Sequence, residues 1–428
     1  METMKIIETR KDLESFLCML KKRASGLGGT VISDTRQILD DVRKQGDKAI
    51  IKYTGRFDGV SPGSLRINKK EIARACCKAD AKVVRALGVS ARRIRRFHKN
   101  QREKSWSISY EGATMGQIVR PIERVGIYVP GGKAAYPSTV LMNVIPAQVA
   151  GVKEIALCVP APGGDVNPYV MAAVNMLGIN EVYRIGGAQA IGALAFGTKT
   201  IRKVDKIVGP GNIYVATAKK LVFGEVDIDM IAGPSEVLVI ADKTADPSFI
   251  AADLLSQAEH DEFASALCVT DSRVMAHRVN DEVIKQLITL SRNEIAATSL
   301  KNFGAIIYVK NMEKAAEVSN MVAPEHLEIM TKSPGSVLRD IKNAGAIFLG
   351  KWTPEPLGDY SAGPNHTLPT GGTSRFFSPL GVYDFVKRSS LLEFTKDGFD
   401  KLSGTVEKIA GIEGLEAHAN AIRIRKKC

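Results

Sequence analysis

The chain has 428 residues, 45% of them apolar and 25% charged, with a formal charge of +13. That length supports two or more domains with sizeable cores, and the ordinary composition excludes a largely disordered chain. The longest apolar runs, such as 138–152, are broken by Asn143, Pro146 and Gln148, so none approaches the roughly 20 residues of a membrane span.

Residues 1–25 read as an N-terminal helical arm of mixed charge, without the apolar core of a signal peptide. From 26 to about 123 the pattern is mostly helical. Ser33, Asp34 and Thr35 can cap a run starting near Arg36, and Asn68 can cap one from Lys69 to Leu87. Much of the positive excess lies between Lys82 and Lys104 and in the tail at Arg423, Arg425, Lys426 and Lys427. Val83, Val84, Leu87, Ile94 and Phe97 supply an apolar stripe through the first of these runs. That stripe predicts a surface helix with a basic, solvated side; a nucleic-acid face is the alternative, and attraction of an anionic dinucleotide a third.

From about residue 124 short apolar runs alternate with helical segments. Strands are expected at 125–129, 154–159, 181–185 and 206–208, with helices at 138–151, 168–178, 188–196 and 212–223. A second series of strands follows at 236–241, 264–270, 305–309, 327–330 and 346–349. Two such series predict two doubly wound, Rossmann-like α/β domains with largely parallel sheets. Residues 124–235 form an inserted domain within a first α/β domain made of 26–123 and 236–380. Beyond Leu380, glycines at 398, 404, 411 and 414 punctuate a small helical tail, 381–428. The six cysteines are scattered, with no C-x-x-C pair, which fits reduced thiols in the cytoplasm.

Three glycine-rich turns follow strands of the inserted unit: Val129-Pro130-Gly131-Gly132, Ile185-Gly186-Gly187-Ala188-Gln189 and Val208-Gly209-Pro210-Gly211-Asn212. Open α/β sheets place ligands outside the carboxyl ends of their strands, where small residues let amides approach a phosphate. None of the three matches G-x-G-x-x-G, so tight turns and a nucleotide site stand level on these residues alone.

Gln257 and His260 are three apart at the end of an amphipathic run from Pro247, so an amide oxygen and an imidazole share one face. A metal pair and a solvated helix end both fit that spacing. His98 and His277 read as structural, and the other three histidines sit in distinctive strings: Ala-Pro-Glu325-His326-Leu-Glu, Gly-Pro-Asn-His366-Thr-Leu-Pro and Leu-Glu-Ala-His418-Ala. Beside them stand Ile231-Ala-Gly-Pro-Ser235-Glu, Pro356-Leu-Gly-Asp359-Tyr-Ser-Ala-Gly, Arg120-Pro-Ile-Glu-Arg-Val-Gly-Ile-Tyr128-Val-Pro-Gly-Gly and Val208-Gly-Pro-Gly-Asn212-Ile-Tyr-Val-Ala.

Together and in this order, from about Asp34 to Arg425, these strings resemble the histidinol dehydrogenase family. The resemblance implies oxidation of L-histidinol to L-histidine through the aldehyde, with reduction of two NAD and one Zn2+ per subunit. It places the metal ligands on Gln257, His260, Asp359 and His418, the last supplied by the neighbouring subunit of a homodimer. It gives His326 the role of base in both steps and Glu325 that of water activator, a task suited to an imidazole neutral near pH 7 and an adjacent carboxylate. Substrate contacts fall on Ser235, Gln257, His260, His326, Asp359, Glu413 and His418, and NAD contacts on Tyr128, Gln189 and Asn212. His366 matches the pattern without a catalytic role. Neither nucleic acid nor membrane is an expected partner. A related zinc-dependent dehydrogenase of a sulfonated diol is the alternative, and Glu413 speaks against it, because an anionic substrate calls for a cation there.

Overall fold

The computed structural model describes residues 4–24, 29–61, 63–131 and 136–427. One six-stranded sheet has the order Lys5–Ile7, Ala305–Tyr308, Ser265–Thr270, Glu236–Ala241, His326–Met330 and Ala346–Leu349. Every neighbouring pair is parallel. Its central strands are buried along their whole length, because helices cover both faces, and this is why 237–241 and 266–269 read as unbroken apolar runs rather than alternating ones. One covering layer centres on Ile250, Leu254 and Met275, the other on Phe16, Leu20 and Ala315.

The second six-stranded sheet runs Arg66–Ile67, Glu181–Tyr183, Glu154–Cys158, Arg124–Tyr128, Lys206–Val208 and Asp227–Ile228. It is parallel except at its first edge. The fold class is therefore as expected. Helix Pro137–Ala150 is apolar all round because it is buried all round, and it keeps Pro146 in its interior.

The grouping of residues 26–123 differs from the expected one. Helices Gly29–Gln45, Asp47–Asp58, Lys69–Cys76 and Ala81–Lys99 pack on the second sheet, and Arg66–Ile67 forms its edge. What joins the first sheet from the N-terminal region is Lys5–Ile7 and helix Arg10–Ala24. The reason is the side chains offered: Ile38, Leu39 and Val42 seat against Ile191 and Leu194 of helix Gly187–Phe196.

Two helix starts also differ. Ser33, Asp34 and Thr35 lie inside a helix that begins at Gly29. Asn68 does cap, reciprocally with Glu71, but that helix stops at Cys76, and Asp80 caps a fresh one from Ala81. On the basic helix the buried side is Ser90, Ala91, Ile94 and His98, while Val83 and Phe97 are exposed.

A third sheet was not expected at all. Trp106–Tyr110, Ala113–Pro121 and Val386–Phe394 form three antiparallel strands. Glu111 and Gly112, at φ 49° and 79°, make the two-residue hairpin turn between the first two. The tail thus opens on a nine-residue strand before helices Lys396–Ile412 and Glu416–Arg425. Of the described residues, no helix is long and apolar enough to cross a membrane.

Candidate active site

The register pairs Val237 with His326, so Glu236 and Glu325 enter their parallel strands side by side at the amino end of the first sheet. The Glu236 N–H donates to Glu325 Oε2 at 2.9 Å, and His326 Nδ1–H donates to the Glu236 carbonyl at 3.0 Å. That second bond fixes the ring, leaving Nε2 3.3 Å from Asp359 Oδ1 and 3.8 Å from Glu355 Oε1. Glu325 Oε2 lies 3.7 Å from Nδ1. Glu325, His326 and Glu355 are all buried.

Burial pushes the Glu325 carboxyl up to about 8, against the pull of His326. Burial acts the other way on His326, but Glu325, Asp359 and Glu355 outweigh it and push the imidazole up to about 10. Glu355 is also pushed up, to about 8, by burial and by Asp359. Asp359 is held well below the usual carboxylate range: burial opposes this, and the hydrogen bond and charge of His326 prevail. The acidic groups around His326 thus favour its imidazolium form in the protein alone, against the neutral ring expected near pH 7.

Gln257 ends helix Pro247–Ala258, buried, with its Oε1 lacking any hydrogen-bond partner. His260 follows in the turn and is exposed; the surrounding protein lowers its pKa, and Asp359 and His326 are the next largest influences on it. Asp359 stands on the π-helical turn Gly358–Ala362, whose carbonyl at Asp359 accepts from His366 Nδ1 at 3.0 Å. An orphaned amide oxygen, an imidazole and an ionised carboxylate suit zinc, which takes nitrogen and oxygen ligands. Donor atoms of His326, Glu355 and Asp359 also lie within 4.8 Å of one another, a grouping that shares only Asp359 with the expected ligand set.

His418 and Glu413 are not brought to this cluster within the chain. Both are exposed, His418 on helix Glu416–Arg425 and Glu413 at the end of helix Lys396–Ile412, and these helices pack on one another and on strand Val386–Phe394. Ser235 is half-buried immediately before the strand that carries Glu236, with its carbonyl accepting from Ser265 N at 3.0 Å.

The expected NAD residues gather elsewhere, at the carboxyl end of the second sheet. A cavity of about 550 Å³ opens there, lined by Gly186, Gly187, Gln189 and Asn212 on one side and by Asp34, Tyr53, Phe57 and Asp58 on the other. Both amide atoms of Gln189 are buried without partners, as expected of a side chain that waits for a polar ligand. The Tyr128 hydroxyl accepts from Gly187 N at 3.2 Å, and burial pushes its pKa up to about 12. Asn212 caps helix Ile213–Val222 through Tyr214 N and Val215 N. Gly209 is held from both sides: its N–H donates to Asp229 at 2.8 Å, and its carbonyl accepts from Lys219 Nζ at 3.0 Å. Of the first glycine turn, Gly132 lies outside the described residues, while Gly131 lines the cavity.

One ribbon ties the two places together. His366 Nε2 is 3.4 Å from Thr139 Oγ1, and Asn365 Nδ2 donates to the Met142 carbonyl at 2.6 Å, both on the helix that follows strand Arg124–Tyr128. Both ring nitrogens of His366 are thus engaged within the fold. Sequence reasoning missed Glu355, which reads as a loop residue between two prolines, and missed Glu236 and the far wall of the cavity at Tyr53, Phe57 and Asp58. An acidic residue opening an apolar strand was the available signal for Glu236.

A family profile described as histidinol dehydrogenase matches residues 21–426. A histidinol dehydrogenase of Aquifex aeolicus is 54% identical, with 99% of this chain and all of that one aligned. One of Geobacter metallireducens is 51% identical over 100% of this chain and 98% of its own. The crystal structure of histidinol dehydrogenase from Elizabethkingia anophelis superposes with a TM-score of 0.95 at 38% identity, covering 100% of this chain and 99% of that one.

Proposed function

Since the chain belongs to the histidinol dehydrogenase family, we propose how its residues divide that family's work. The reaction is the oxidation of L-histidinol to L-histidine with two NAD, in a zinc-dependent enzyme; whole-chain identity near one half favours it over the sulfonated-diol alternative.

The observation that carries the assignment is the fixed ring of His326, bonded through Nδ1 to the Glu236 carbonyl and so presenting Nε2 to the space beside Asp359. In the first oxidation Nε2 takes the alcohol proton as hydride leaves the carbon for NAD. In the second, water bonds to the aldehyde carbon and yields a proton to Glu325, a second hydride leaves, and His326 takes the remaining proton. Both residues must start each step unprotonated. A cationic substrate and a divalent ion beside Asp359 and Glu355 would offset the acidic groups that favour the imidazolium form of His326.

Gln257, His260 and Asp359 of one subunit, with His418 of the neighbour, would hold the zinc. When bound, it orients the imidazole and amine of histidinol and polarises the oxygen. Ser235 and Glu413 complete the substrate contacts, with Glu413 matched to the substrate's positive charge. Tyr128, Gln189 and Asn212 would take the NAD. A homodimer accounts for the exposure of His418 and Glu413. It also accounts for the apolar side chains left exposed on the antiparallel sheet and tail, among them Trp106, Tyr110, Leu392 and Ile412. The cytoplasm suits the five described cysteines, all free thiols.

Glu325→Gln tests the division of labour. It should slow oxidation of histidinal by roughly 10²–10⁴-fold, the usual reach of general base catalysis, and slow alcohol oxidation much less. Equal loss in both half-reactions would remove Glu325 from the role of water activator.

A further inference from the structure

Helix Arg10–Ala24 ends at the catalytic pair. The Arg23 side chain, only 1% exposed, pairs with the Glu236 carboxylate, donates Nη1–H to the Phe263 carbonyl at 2.6 Å, and lies 5.4 Å from the centre of the Phe303 ring. Glu236 is the residue whose backbone grips both members of the pair, with its N–H on Glu325 and its carbonyl on His326. The backbone of Glu236 thus faces the pair while its carboxylate meets Arg23.

Stability does not explain the arrangement. A buried ion pair usually contributes no more than apolar side chains of the same volume, because both charges leave water. Here Arg23 Nε and Glu236 Oε2 are also left without hydrogen-bond partners. The guanidinium acts on Glu325 as well as on Glu236, and the backbone of Gly371 and of Glu325 helps to hold the Glu236 charge. Arg23 is thus paired with Glu236 and feels the buried acidic group of Glu325 beside it.

We propose that Arg23 is a positioning residue for the water-adding step: through Glu236 it fixes the Glu325 carboxylate at the reacting carbon. The inference rests on the assignment of Glu325 as water activator. It makes the N-terminal helix a part of the active site, although Arg23 touches neither substrate nor cofactor.

The test uses the full-length enzyme, loaded with zinc, and follows NADH from histidinol in a single turnover and from histidinal separately. Arg23→Gln should slow the aldehyde step roughly 10–100-fold and the alcohol step less than about threefold, with KM for NAD unchanged. Arg23→Lys, which keeps the charge without the planar fork, should recover part of the loss. In a Glu325→Gln background, Arg23→Gln should add nothing, as expected when two residues act as one unit.

Equal loss in both half-reactions, no loss, or an additive loss in the double variant would overturn the proposal while leaving Glu325 its role. Non-selective loss in Glu325→Gln alone would overturn the premise and the proposal together. Should Arg23→Gln fold poorly, Arg23→Lys decides the matter by the same criterion: selective loss supports the inference and equal loss overturns it.

Discussion

The two α/β units use opposite ends of their sheets. In the unit built on Arg124–Tyr128 the cavity opens beyond the carboxyl ends, around Gly187, Gln189 and Asn212, where open parallel sheets ordinarily bind ligands. In the unit built on Glu236–Ala241 the titrating cluster sits at the amino ends, at Glu236, Glu325 and His326. The difference follows from what each end offers. Carboxyl ends deliver glycine turns and helix N-termini that suit a phosphate. Amino ends receive the C-termini of the connecting helices, and Gln257 and His260 arrive on one of these. The cavity and the titrating cluster thus lie at opposite ends of their sheets, and hydrogen bonds from Asn365 and His366 join the segment of Asp359 to helix Pro137–Ala150.

The separation can be broken in order of expected effect. His326→Asn should cost roughly 10²–10⁴-fold in kcat for both oxidations, yet leave NADH affinity, read by fluorescence titration, within about twofold. A parallel loss of affinity would mean that the two ends are one site. His418→Asn should lower zinc content and activity together, by about tenfold or more, without shifting the melting temperature. Mixed with His326→Asn, it should regain part of the activity if the tail crosses to the neighbouring subunit, and no rescue would confine the site to one chain.

Gly209→Ala strikes the other end. Its Cβ would come 2.1 Å from the Tyr128 carbonyl oxygen, at a φ of +116°. The loop must shift, at a strain of about 1–3 kcal/mol, and KM for NAD should rise several-fold while zinc content holds. Loss of zinc instead would show that the ends are mechanically coupled.

The smallest effect concerns pH. His98 is buried, donates Nδ1–H to the Ile94 carbonyl, and faces Asn365 of the ribbon; burial lowers its pKa. As pH falls below the ordinary histidine value of about 6.5, the unfolded chain takes up a proton that the fold excludes, so stability falls. The urea midpoint should therefore drop between pH 7.5 and 5.5, and by less in His98→Gln. An unchanged slope in that variant would place the sensitivity elsewhere.

Where burial stamped a pattern on the sequence, the fold was legible. The strands are apolar over 237–241 and 155–158 because both faces are covered. The antiparallel sheet was missed although Trp106, Ile108 and Tyr110 alternate with Ser107 and Ser109 before Glu111-Gly112; its partner Val386–Phe394 is mostly exposed and lacks such alternation. In the site, helical spacing put Gln257 and His260 on one face without choosing between a metal pair and a solvated helix end, whereas Glu355 meets His326 only through tertiary folding. The pull of the acidic groups on His326 was hidden for the same reason: no local string shows that Glu325, Glu355 and Asp359 converge on it. The cavity's far wall was hidden by the grouping of 26–123, because helix contacts between Ile38 and Ile191 span more than a hundred residues.

Strand Lys5–Ile7 finds its place only against Ala305–Tyr308. During synthesis the N-terminal helix must therefore wait for a partner three hundred residues downstream, a closure of very high contact order. Hydrogen exchange during refolding should show protection at Ile6 and Ile7 arriving after that of the second sheet. The segment that leaves the ribosome first is then among the last to dock, and Arg23 reaches Glu236 only when the strands it serves are already in register.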